Sequence, residues 1–100
     1  MSIVLAEGRG EGAEMHRLER GATIGRSRGC ELRYLRPAVS RRHAQIFPIP
    51  EEPGRWAVLD LSSHNGTRVN GVRLGDTPLP LSEGDVIDVQ GITFTVHYKE

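Results

Sequence analysis

Apolar and polar residues alternate with a period of two along most of the chain, and no stretch sustains an apolar stripe at helical spacing. Ile3–Leu5, Met15–Leu18, Ala22–Ile24, Glu31–Tyr34, Ala44–Phe47, Trp56–Leu61, Val86–Val89 and Ile92–Tyr98 therefore read as short strands. In the last of these Ile92, Phe94, Val96 and Tyr98 share one face and Thr93, Thr95 and His97 the other, as expected of a strand with one buried side. Turn signals separate the strands at Gly8 to Gly12, Arg20-Gly21, Ser27–Gly29, Pro48 to Gly54, Asn65-Gly66, Asn70-Gly71, Gly75-Asp76, Glu83–Asp85 and Gln90-Gly91. Asn70-Gly71, between Thr67–Val69 and Val72–Leu74, predicts a type I′ hairpin, because both central residues of that turn need positive φ. Strands recurring at roughly 8–12 residues with such punctuation predict an all-β sandwich or barrel.

With 100 residues and 37% hydrophobic content, the chain makes a single domain that buries somewhat over half of its unfolded surface. No internal repeat, low-complexity tract or second domain is visible. No apolar run approaches the ~20 residues needed to cross a bilayer. Met1–Glu7 lacks the basic and long apolar regions of a signal peptide, so a cytoplasmic setting is expected. The lone Cys30 has no partner for an internal disulfide; it reads as a small buried hydrophobe in preference to a thiol activated by Arg28.

Charge is more informative than composition. The net charge is zero, yet residues 1–50 carry nine Arg and five Glu, while residues 51–100 carry three Arg, one Lys and eight acids. Between Arg20 and Arg42 seven Arg stand against one acid, Glu31, a local excess of six positive charges where an anionic partner is expected. Twelve of the thirteen basic residues are Arg, whose planar fork meets two oxygens at once where Lys offers a point charge. Genomic base content also produces Arg-rich chains, so this bias alone specifies no ligand.

Four short runs fall between the predicted strands: Gly25-Arg26, Ser40-Arg41-Arg42-His43, Asn65-Gly66-Thr67 and Val69-Asn70-Gly71. They put guanidinium groups, a hydroxyl and a side-chain amide on loops, where binding residues collect on a rigid sheet scaffold. A phosphorylated side chain carries roughly −1.5 to −2 charges and strong acceptor oxygens, so it calls for several converging donors of this kind. Arg26 and Arg41 offer forks, Ser40 a hydroxyl, and Asn65 an amide that both donates and accepts.

The order Gly-Arg, Ser-x-x-His, Asn-Gly and a second Asn-Gly, with strands between them, closely resembles the forkhead-associated (FHA) domain. Glu83–Ile87 followed by Ile92–Phe94 resembles the closing strands of that family too. The resemblance spans residues 1–100 as one domain and is strongest over 21–98. It implies a β-sandwich of about eleven mostly antiparallel strands, with loops at one end that bind phosphothreonine peptides. By the same resemblance Arg26, Ser40 and Arg41 are phosphate ligands and Asn65 fixes the peptide main chain. His43 ties loops together, and Gly25, Gly66, Thr67, Asn70 and Gly71 shape the backbone that carries the contacts. Arg42 alternates away from Arg41 and is expected to be a solvated charge.

Two positions depart from the family pattern. His64 stands where many members have Ser or Thr before the first Asn-Gly. It is expected either to approach the phosphate, strengthening binding as pH falls toward 6, or to be an exposed loop histidine without a role. In Leu35-Arg36-Pro37 the family often has an acid or amide, which places Arg36 toward an acidic flank of the peptide. The expected partner is a threonine-phosphorylated protein or peptide made by an upstream Ser/Thr kinase, bound by a monomer or by one module of a larger protein.

Rival readings fare less well. Catalysis by Ser40, His43 and Asp60 lacks a Gly-x-Ser-x-Gly elbow, and in an extended strand residues three apart face opposite ways, so the chain is expected not to be an enzyme. The histidines and Cys30 show no metal-ligand spacing, and neither metal nor cofactor is expected. Nucleic acid is disfavoured by the zero net charge and by Tyr34 being the single aromatic in the basic segment. Nothing points to a membrane. The alternative kept is a phosphate-independent protein-docking module on the same fold.

Overall fold

The computed structural model describes residues 2–8 and 12–100, so residues 9–11 of the Gly8 to Gly12 loop lie outside the described residues. Eleven strands are present among them: β1 Ser2–Glu7, β2 Glu14–Leu18, β3 Ala22–Gly25, β4 Leu32–Arg33, β5 Ala44–Pro48, β6 Trp56–Asp60, β7 Arg68–Val69, β8 Val72–Arg73, β9 Leu79–Pro80, β10 Val86–Val89 and β11 Ile92–Lys99. They form a six-stranded sheet, ordered β2-β1-β11-β10-β7-β8, and a five-stranded sheet, ordered β4-β3-β5-β6-β9. Every pairing is antiparallel except that of β3 with β4. The fold is a β-sandwich of two packed sheets, as the resemblance implies.

Alternation places the core as the sequence predicts. Ile92, Phe94 and Val96 of β11 are buried with Ile3 and Leu5 of β1 and Ile87 and Val89 of β10. From the facing sheet come Ile24, Ala44, Ile46, Trp56 and Val58, giving one continuous cluster between the layers. Tyr98 ends the apolar face of β11 with a polar tip. Its hydroxyl donates to the Leu81 carbonyl at 2.8 Å and accepts from the Trp56 N–H at 3.0 Å.

The Asn70-Gly71 hairpin forms as predicted, with φ of 52° and 82° at its central residues and Val69 opposite Val72. Asn70 does more than turn the chain. Its amide donates to Asp85 Oδ1 at 3.0 Å and its carbonyl oxygen accepts from the Val86 N–H at 2.9 Å, fastening the hairpin to β10.

Two features differ from the sequence reading. The strand expected over Glu31–Tyr34 shrinks to Leu32–Arg33 and runs parallel to β3. The two residues of β9 carry no pattern of their own; they are strand because Leu79 and Pro80 meet Val58 and Ala57 of β6.

Candidate functional site

The loops β3–β4, β4–β5 and β6–β7 and the β10–β11 turn meet at one place, and main-chain bonds hold them there. The Arg26 N–H donates to the Ser40 carbonyl at 3.0 Å, and the Ser27 N–H to the Arg41 carbonyl at 3.1 Å. Val39, in the middle of the β4–β5 loop, buries its side chain completely in the core, so the tip before Ser40 is pinned from beneath. Gly25 makes this approach possible. A Cβ there would lie 2.3 Å from the Arg41 carbonyl oxygen and 2.8 Å from Cys30 Sγ, so its need is space and not positive φ. Cys30 is buried, and its thiol donates to the Arg41 carbonyl at 3.2 Å.

Each side chain singled out from the sequence can be placed. Arg26 is half-buried, and its Nε donates to the Val39 carbonyl at 3.0 Å, which leaves both Nη groups free of that bond. Ser40 Oγ accepts from the His64 N–H at 2.9 Å, so the hydroxyl proton is available to an acceptor outside. Arg41 and Arg42 are exposed and have no ion-pair partner among the described residues. Asn65 donates one amide N–H to the Ala38 carbonyl at 2.9 Å; its Oδ1 and second N–H remain for another group. His64 is exposed and joins this cluster through its main chain.

His43 is fully buried behind these residues. Its Nδ1 accepts from the Ser40 N–H at 3.0 Å, so the ring proton sits on Nε2, which donates to the Gly66 carbonyl at 2.8 Å. One imidazole thus links the loop bearing Ser40 to the loop bearing Asn65. The contact with Ser40 corrects the expectation from an extended strand: β5 begins only at Ala44, and in the loop before it residues 40 and 43 can meet. The Ser40 hydroxyl itself is turned to His64 and not to the ring.

Gly66 has φ of +89°, and a Cβ there would lie 2.7 Å from Arg73 Nε. The turn around it is fixed by Thr67, which the sequence singles out, and by Gln90, Asp60 and Ser63, whose supporting role it does not show. Gln90, itself at φ 51°, donates from Nε2 to the carbonyls of Asn65 at 3.1 Å and Gly66 at 3.0 Å. Asp60 accepts from the Ser63 N–H at 3.0 Å, the Ser63 hydroxyl at 2.6 Å and the buried Thr67 hydroxyl at 2.7 Å. The Ser63 oxygen in turn accepts from the Gly66 N–H at 2.9 Å. The Asp60-x-x-Ser63 spacing of a side-chain-capped turn was the available signal.

Burial alone would push the Asp60 carboxyl up, but the hydrogen bonds from Ser63 and Thr67 outweigh it and hold the group below the usual carboxylate range. A lowered folded-state pKa stabilises the protein above the unfolded value of about 3.9 and loses that contribution as pH falls through the folded value. Asp60→Asn should therefore melt below wild type at about pH 7, and the gap should close below about pH 4 as the wild-type carboxyl protonates. Thermal melts of both proteins across this range check it; a gap that stays constant into strong acid contradicts it.

Away from these loops, Glu7 and Glu14 are placed opposite one another by the pairing of β1 with β2. His16 Nε2 lies between them, 2.8 Å from Glu7 and 3.2 Å from Glu14, and Tyr34 donates to Glu7 at 2.5 Å. Burial, and then the bond to Glu7, push the Tyr34 phenol well up. The cluster answers the repulsion of directly opposed carboxylates in a sheet.

What the site can do chemically is present several unpaired donors at one end of a rigid sandwich. Comparison with known proteins shows the family. The FHA domain family matches residues 22–90. The chain is 42% identical over 67 residues to the mouse proliferation marker protein Ki-67, covering 66% of this chain and 2% of that protein, so it spans a small part of that relative. An FHA domain solved in a structural and functional analysis of phosphothreonine-dependent FHA domain interactions superposes with a TM-score of 0.83 at 29% identity, covering 100% of this chain and 99% of that one. The FhaA FHA domain, solved in complex with the intracellular domain of Rv3910, gives a TM-score of 0.80 at 30% identity, covering 96% of this chain and 100% of the other. This chain belongs to the FHA domain family.

Proposed function

We propose that the chain is a phosphothreonine-dependent recognition module that binds a threonine-phosphorylated protein or peptide through Arg26, Ser40, Arg41 and Asn65. The observation that carries this reading is the convergence of a pre-oriented Arg26 fork, a free Ser40 hydroxyl proton and an unpaired Arg41 on loops held together by main-chain bonds, with one buried histidine tying them to the loop that bears Asn65. Charge-assisted bonds from such donors are about twice as strong as neutral ones, and donors already held in place lose little freedom on binding. The similar FHA domains described above, one solved in a study of phosphothreonine-dependent interactions and one with a protein partner, support the same reading.

In this role the chain is a binding module and not an enzyme, acting over residues 1–100 as a monomer or as one module of a larger protein. Its ligand is the product of a Ser/Thr kinase, which sets the module in kinase signalling and in the cytoplasm. Preference for phosphothreonine over phosphoserine rests on one methyl group, worth only ~0.8 kcal/mol by burial, or roughly fourfold. An oriented peptide library carrying phosphothreonine, phosphoserine or plain threonine tests the reading. Capture confined to phosphorylated peptides, and lost in Ser40→Ala, is expected. Equal capture of plain peptides identifies a phosphate-independent docking module instead.

His64 is exposed beside Ser40, within the same loop cluster. If its imidazole meets the phosphate, His64→Ala should weaken binding of a phosphothreonine peptide by several-fold. Isothermal titration of both proteins measures the difference. Equal affinities remove His64 from the contact set.

A further inference from the structure

Beside the phosphate site a surface groove of ≈ 460 Å³ is lined by Arg26, Arg33, Leu35, Arg36 and Pro37. Arg26 is thus common to both. Arg33 repeats its arrangement: Arg33 Nε donates to the Arg26 carbonyl at 3.0 Å, as Arg26 Nε does to the Val39 carbonyl. Main-chain oxygens therefore fix two guanidinium groups at Nε, and neither bond uses an Nη. No carboxylate forms an ion pair with Arg26, Arg33 or Arg36 among the described residues, where the ion pairs of arginine involve only Arg17 and Arg55. Glu31, the one acid in this segment, accepts from the Thr23 N–H at 2.7 Å instead.

Three unpaired like charges around one groove repel each other, and an anion placed among them relieves that repulsion while meeting donors already oriented. The groove is not purely basic. Leu35 is 71% exposed at its wall and Pro37 stands nearby, an apolar element that a peptide side chain can cover and a bare polyanion cannot use.

We propose that this groove is a second anion subsite, in which Arg33 and Arg36 hold another negative group of the bound peptide, a phosphate or an acidic side chain, with an aliphatic side chain against Leu35. The proposal rests on the phosphothreonine reading and narrows its ligand to peptides with two anionic groups close together.

The test uses three peptides, each with one phosphothreonine: one with neutral flanks, one with Asp and Glu on both flanks, and one with a second phosphorylated residue nearby. Binding is measured in about 0.15 M salt, where long-range attraction between exposed charges is largely screened. Wild type should bind at least one of the doubly anionic peptides about tenfold tighter than the neutral-flanked one. Arg33→Ala/Arg36→Ala should remove that advantage, so that the doubly anionic peptide loses about tenfold more affinity than the neutral-flanked one; the neutral-flanked peptide weakens less, since Arg33 also bonds the Arg26 carbonyl. The acidic and diphosphorylated arms show which source the subsite takes. Equal binding of all three peptides, or an advantage that survives the double substitution, overturns the subsite and leaves the phosphothreonine reading standing. Failure of all three to bind overturns both. Displacement of the peptides by a single-stranded oligonucleotide, lost in the double variant, assigns the groove to nucleic acid and overturns the proposal.

Discussion

Replacing Arg26 with alanine should lower affinity for a phosphothreonine peptide by about 3 kcal/mol, roughly 100-fold, while leaving the fold nearly intact. The Arg26 guanidinium is held at Nε by the Val39 carbonyl at 3.0 Å, and Val39 is itself buried in the core. Its Nη groups are therefore aimed before any ligand arrives, and the free energy of meeting a dianion is not spent on ordering a long side chain. Within the protein only one hydrogen bond to a carbonyl is lost, which costs about 1 kcal/mol of stability. Arg26→Lys should not rescue binding, since an ammonium cannot hold Val39 and present a fork together. Titration calorimetry with parallel melting curves separates the two effects. An affinity within threefold of wild type would remove Arg26 from the site.

Among the loop residues of the site, the largest loss of stability is expected at His43. His43→Ala removes a fully buried ring and both of its hydrogen bonds, to the Ser40 N–H and to the Gly66 carbonyl. Gln90 still serves the Gly66 carbonyl, so the Ser40 N–H is the group left without its partner. Cavity and orphaned donor together should cost about 3 kcal/mol, or roughly 15 °C in melting temperature for a domain of this size. Peptide affinity should fall as well, even well below the melting point, because the loops bearing Ser40 and Asn65 are no longer tied through one ring. Scanning calorimetry reads the first effect and titration at low temperature the second. A melting temperature within about 3 °C of wild type contradicts the role given to His43.

Much of this architecture is legible in the sequence, for identifiable reasons. β5, β10 and β11 bury alternate residues against one core, and that leaves a period of two in the chain. Asn70-Gly71 marks its hairpin because few other pairs accept two positive φ values. β9 and the parallel β3–β4 pair are not legible, since two residues carry no period and their pairing is set by strands distant in sequence.

The site divides in the same way. Arg26, Ser40, Arg41 and Asn65 stand out through residue type, order and family resemblance. The supports beneath them do not, because Val39 offers a carbonyl, Gln90 reaches main-chain oxygens 24 and 25 residues away, and Gly25 is needed only where the Arg41 carbonyl comes to lie. Such roles belong to the folded backbone and leave no spacing to read. The Ser40 and His43 pair shows the opposite hazard: residues three apart face opposite ways in a strand, but these two lie in a loop and meet.

Titrating the isotope-labelled protein with one phosphothreonine peptide and with its unphosphorylated twin, followed by amide NMR shifts, shows whether these loops bind the phosphate. Saturable shifts centred on residues 26, 40, 41, 64 and 65 are expected with the phosphorylated peptide and none with the twin. Shifts that are the same for both peptides, or that centre elsewhere on the sandwich, would contradict phosphate binding there.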